Sequence, residues 1–154
     1  MLKFYMIYFV LALLSAIFFA LLEIQIEGKD GWAAKLPTWR KKFAFTRFIP
    51  GANKQITGYH LYTSLYRFSL LHIIFLFTPW SLGKELIIIS LHILVGRIED
   101  FMWFVLNPHF GIKKFNKKHV PWHTRWWGPL PAQYYLSILL WLVIFSLGIF
   151  LTGI

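Results

Sequence analysis

Six residues, Glu23, His60, Glu99, Asp100, His109 and His123, are of the kinds that hold a metal ion without sulfur, and they come from well-separated parts of the chain. Neutral imidazoles mixed with ionised carboxylates suit non-haem iron, manganese or zinc, and six ligands are enough for one or two ions. Cysteine is absent, which excludes disulfides, thiolate metal sites, iron–sulfur clusters and cysteine nucleophiles. Arg67 and Arg97 are expected to tune or orient the acids. Tyr62, with Tyr59 and Tyr66 close by, is expected to donate a proton or hydrogen bond, interfacial anchoring being its simpler role. The alternative chemistry needs no metal: Glu99 and Asp100 pair with Arg67 and Arg97 as a buried ion-pair cluster.

The elements that must position these residues are apolar. Of 154 residues 58% are hydrophobic and 20% aromatic, and the charges are bunched between long hydrophobic runs. Four runs, about 3–25, 61–80, 85–106 and 133–152, have the ~20 residues that a hydrocarbon core of ~30 Å needs. The expected fold is therefore an all-α integral membrane protein, a four-transmembrane-helix bundle in one membrane domain over 1–154. Its two long cytoplasmic connections, 26–60 and 107–132, are expected to lie at the interface. The first run is too long for a signal-peptide core, and Glu23-Ile24-Gln25-Ile26-Glu27 follows it in place of a small-residue cleavage site.

Orientation follows from the basic residues. The first long connection carries Lys29, Lys35, Arg40, Lys41, Lys42, Arg47 and Lys54, the second Lys113, Lys114, Lys117, Lys118 and Arg125, whereas the other side offers Lys3 and Lys84. The positive-inside rule places both connections in the cytoplasm and both termini outside it. The formal charge of +10 is then a product of topology and of attraction to anionic lipid headgroups, not a nucleic-acid footprint. The stretch 31–50 mixes Trp32, Trp39, Phe43, Phe45 and Phe48 with lysine and arginine, and 107–131 repeats that chemistry with three histidines. Measured by depth, Glu23, Glu27, His60, Glu99, Asp100, His109, His119 and His123 all fall on the cytoplasmic side. Charged groups so close to a bilayer must face the bundle interior and find partners.

Short motifs add little. "HVPWH" at 119–123 has the His-x-x-x-His form, but Pro121 interrupts the helix that would place both rings on one face. The fragment is similar to the histidine boxes of integral-membrane desaturases and hydroxylases, families that also use an adjacent His-His pair, which this chain lacks. The His-Glu-x-x-His pattern, glycine-rich phosphate loops and the Gly-x-Ser-x-Gly elbow are absent. His72 and His92 lie at similar depth on neighbouring antiparallel segments and are the residues that a b-type haem would use, the alternative being hydrogen bonds to a neighbouring carbonyl or to Ser69 or Ser90.

These readings converge on a membrane-embedded His/carboxylate metalloenzyme, a non-haem iron oxidoreductase of hydroxylase or desaturase type. It is expected to act on a lipid or isoprenoid at the cytoplasmic leaflet and to draw on an electron donor. A metal-dependent lipid hydrolase using zinc or manganese, a non-enzymatic membrane subunit or binding protein, and a b-type haem protein are the alternatives.

Overall fold

The structure, a computed structural model, describes residues 1–43 and 55–154. Among these the α-helices are α1 (Leu2–Glu27), α2 (Gly58–Leu71), α3 (Leu82–Leu106) and α4 (Ala132–Thr152). Two short antiparallel ribbons precede helices: β1 (Arg40–Lys41) pairs with β2 (Ile56–Thr57), and β3 (Trp126–Trp127) with β4 (Leu130–Pro131). Arg47, Lys54, Phe45 and Phe48 of the expected interfacial stretch lie outside the described residues.

Two helices, α1 and α4, are long and apolar enough to cross a membrane, with mean hydropathy of 2.5 and 2.3 over their most apolar stretches. The expectation of four such helices is not met. At 14 residues α2 covers about 21 Å, short of the ~30 Å core. It tightens at His72–Leu76 into a 3₁₀ helix, and the chain leaves it before Pro79, which lacks an N–H and disfavours helix at Thr78. Helix α3 has the length, 25 residues, but Lys84 and Glu85 at one end and Arg97, Glu99 and Asp100 towards the other break its apolar run.

The helices alternate in direction. Beside the termini, Gly83 of α3 meets the end of α4 so closely that a Cβ there would lie 2.7 Å from Thr152 Cγ2. At the opposite end Asn107 Nδ2 donates to Gly28 O at 2.8 Å, tying α3 to α1. Helix α3 is the centre of the bundle. Ala12 and Ala16, fully buried one turn apart, pack on Val95, Leu91, Leu94 and Ile98, and small residues of this kind let helices approach closely. Tyr8 stitches three helices together, its hydroxyl 2.8 Å from Ser90 Oγ of α3 while Trp141 Nε1 of α4 donates to it at 3.0 Å. Helix α2 differs: Gly58 is its one buried residue, and it stands off from the other three.

The connections form a cap over one end. Ala20, Ile24, Trp103, Phe104 and Val120 make its core, with Phe110, Phe115, Trp122 and Trp126 packed around them. Trp122 and Trp126 of the second connection are thus spent on packing, and Trp127, 50% exposed, projects from it. Thr57 starts α2 by accepting from the His60 backbone N–H at 3.2 Å, and Ser81 does the same for α3. These caps fix the rotation of His60 at one end of α2 and of Glu85 at the other.

Candidate metal centre

Glu23 and Glu27 are four apart in the last turns of α1, so their side chains share one face. His60, in the first turn of α2, points at that face. Its Nε2 lies 3.4 Å from Glu23 Oε1 and 3.4 Å from Glu27 Oε1, and one ligand atom from each of the three residues falls within 4.8 Å of the others. The opposite ring nitrogen, Nδ1, is 2.6 Å from Thr57 Oγ1, and the ring stacks on Trp32 with centroids 4.1 Å apart. When Nδ1–H donates to Thr57, Nε2 turns a lone pair towards two carboxylates, an arrangement a cation reconciles. When Thr57 donates instead, Nε2–H serves the acids directly. An imidazole fixed through its far nitrogen is the arrangement that metal-ligating histidines use.

Glu27 is held by strained backbone. Gly31, Trp32 and Ala33 all lie in the left-handed region, with φ of 61°, 48° and 50°. For the two non-glycine residues this conformation is costly and persists only when its surroundings enforce it. Here they do: the Arg40 guanidinium donates to Ala33 O, and Gly31 lies so close to the Trp122 ring that a Cβ would sit 2.9 Å from it. The product is a turn whose Ala33 and Trp32 N–H groups both donate to the Glu27 carboxylate. Glu27 is 8% exposed and was not among the expected ligands; its signal in the sequence was the four-residue spacing from Glu23. Tyr59 flanks the triad, its ring edge-on to that of His60 with centroids 5.1 Å apart.

Helix α3 brings two acids that face different ways. Glu99 comes up beside Glu23 at the edge of the same small space, and Arg67 lies near both. Arg67 reaches in because Gly96 leaves room, a Cβ there lying 2.9 Å from its Nη2, and its guanidinium also rests over Phe19 at 5.2 Å. Asp100 serves a second cluster. Its Oδ2 accepts from the Tyr134 hydroxyl, lies 3.5 Å from Arg97 Nη1 and 3.4 Å from His123 Nε2, while Gln133 bonds the other nitrogen of His123.

The six expected ligands therefore divide. Glu23 and His60 come together, joined by Glu27, with Glu99 beside them; Asp100 and His123 meet one another instead. His109 is exposed in the turn after α3, where its backbone N–H bonds Asn107 Oδ1, and His119 is exposed against Asn116. Tyr62 is 62% exposed and edge-on to Trp39, so the buried phenol among the acids is Tyr134. His72 spans Phe68 O at 2.7 Å and Glu85 Oε1 at 3.0 Å, and His92 Nε2 meets Ser64 Oγ at 3.1 Å, not Ser69 or Ser90. The Phe68 ring lies against both imidazoles.

Two spaces adjoin the triad. A small one of about 60 Å³ runs between it, Glu99 and the rings of Trp103 and Trp122. A larger one of about 780 Å³ extends along the helices past Arg67 and His92. No protein family, curated protein or solved structure matches this chain.

Proposed function

We propose that the protein is a membrane-embedded, metal-dependent enzyme of lipid chemistry in which Glu23, Glu27 and His60 hold the ion and Glu99 lies within reach as a further ligand. The observation that carries this reading is the convergence of two carboxylates and an imidazole from two helices on one point. Charge supports it. Glu23, Glu27, Glu99 and Asp100 face Arg67 and Arg97, so with the four acids ionised and His60 neutral a divalent cation restores balance. The small space beside the triad exceeds the ~10–15 Å³ that one water requires, so an ion with a water ligand fits.

Oxygen and nitrogen ligands favour non-haem iron, with manganese or zinc as the alternatives. Bound iron would supply oxygen activation, drawing electrons from a cytoplasmic donor; zinc or manganese would instead polarise an ester or phosphate for hydrolysis. The chain's own part is to aim the ligands: Thr57 orients His60, the 31–33 turn orients Glu27, Arg67 sets a positive charge near Glu99, and Tyr59 offers a proton or hydrogen bond.

The four-span bundle belongs to this reading. With its 3₁₀ extension α2 reaches about 31 Å, from ~1.5 Å per α-helical and ~2.0 Å per 3₁₀ residue, which matches the core thickness. The basic cap then lies in the cytoplasm, where its lysines meet anionic headgroups, and both termini lie on the far side. The test is elemental analysis of the full chain purified without added metal or chelator. Stoichiometric iron supports the oxidative reading, and zinc or manganese the hydrolytic one. Absence of metal after reconstitution with each of the three would leave His60 as a proton carrier clasped by acids, and the enzyme reading would fall.

A further inference from the structure

We infer that the 780 Å³ space beside the triad is a lateral binding site for a long-chain lipid whose polar end is an uncharged oxygen group, a carbonyl or hydroxyl, and not an anionic headgroup. This names the substrate class of the proposed enzyme and rests on that reading for turnover, though not for binding.

The space has the shape of such a site. Its walls come from all four helices, and its volume is within the ~300–1,000 Å³ usual for ligand pockets. The rim is apolar and exposed: Leu22 and Ile26 of α1, Tyr62 and Tyr66 of α2, and Leu140 of α4, each between 42% and 62% accessible. Because α2 stands off from the bundle, these exposed residues set an opening along the helix flanks, where acyl chains would lie. The inner wall is polar, with Arg67, His92, Ser64 and Ser137. An amphiphile entering sideways therefore meets a polar surface within the bundle, next to the carboxylates.

Charge selects the polar end. Glu23, Glu99 and Asp100 line the same space as Arg67 and Arg97, with Glu27 directly behind. With the acids ionised the local balance is two negative without a cation and zero with a divalent one bound to them, and one proton shared among the acids still leaves it negative without the cation; a carboxylate or phosphate ester would arrive uncompensated in each state, and burying an unpaired charge costs far more than burying a paired dipole. A neutral oxygen carries no such penalty. It also meets an existing deficit, for Arg67 Nε and His92 Nδ1 are buried and lack hydrogen-bond partners among the described residues. Unmet buried polar groups are rare and signal a missing partner. A small rotation of either side chain would present its nitrogen to a ligand oxygen.

The experiment uses the full chain in phosphatidylcholine nanodiscs and the methyl ester of a spin-labelled stearic acid, reading the motionally restricted fraction of its spectrum. Saturable restriction is expected, displaced by unlabelled methyl stearate and stearyl alcohol, with stearate and octadecane at least about tenfold weaker, or ~1.4 kcal/mol. The ranking of ester against alcohol tells carbonyl from hydroxyl. Gly96→Leu, which intrudes beside Arg67, should abolish restriction, and so should Leu140→Trp at the rim, a site remote from the bundle's close contacts. Stearate competing as well as the ester, octadecane competing equally, or restriction surviving in both variants would each overturn the proposal. Metal content is measured on the same samples. Metal without ester binding sinks this inference alone, and ester binding without metal sinks the enzyme reading alone.

Discussion

Two polar clusters one residue apart in the chain, around Glu99 and around Asp100, are made from the same side-chain types and do opposite things. At Asp100 a phenol, a guanidinium and an imidazole converge on a single carboxylate oxygen. At the triad the proportion is inverted: Glu23, Glu27 and the neighbouring Glu99 share one imidazole and one reaching arginine. Where donors outnumber acceptors a cluster is a rivet, joining α3, α4 and the cap. Where acceptors outnumber donors it is short of positive charge, and on the proposed reading a cation fills that shortage. Histidines and acids together suit either role; the ratio of donors to acceptors around them is what separates the two clusters.

The comparison can be broken most sharply at the triad. Glu27→Gln and His60→Ala should each weaken metal binding beyond the roughly 100-fold that outer ligand-positioning residues can account for, measured by metal titration against the wild type. Retained affinity in both would place the ion elsewhere. Next in size, Asp100→Ala strips a half-buried carboxylate from Arg97, Tyr134 and His123 and should cost about 1–3 kcal/mol of stability while metal binding persists. Thermal unfolding with parallel metal analysis reads this, and loss of metal with no loss of stability would exchange the roles of the two clusters. Thr57→Val removes the oxygen beside His60 Nδ1 and should lower metal affinity by about 10- to 100-fold, with a milder loss of the α2 cap. Smallest is His109→Ala, expected within about 0.5 kcal/mol in stability and unchanged in metal binding because the side chain is exposed and apart from both clusters.

Much of this frame was legible in the residues. Apolar run length placed α1, α3 and α4 within about three residues of their ends, and depth counting brought Glu23, His60 and Glu99 together. Helix α2 was misjudged because Ile73–Phe77 continues the apolar run while the backbone does not continue the α-helix. Composition carries no record of that tightening, although Pro79 bounds it. Glu27 escaped the ligand set because it lies past the apparent end of its span, where only the turn at 31–33 folds back to hold it. The split between Glu99 and Asp100 was unreadable in principle. Adjacent helical residues point about 100° apart, and which one faces α1 depends on how Ala12 and Ala16 seat against α3. His109 and His123 share a loop and a composition, and tertiary packing alone buries one and exposes the other.

Helix α2 is moored at both extremities, by His60 to the acids of α1 at one and by His72 to Glu85 of α3 at the other, with the Ser64–His92 bond crossing between. A rod fastened that way keeps its register against α1 and α3 at each mooring. On the proposed reading, a guest entering by the flank would pass between these moorings and leave the ligands of the ion in place.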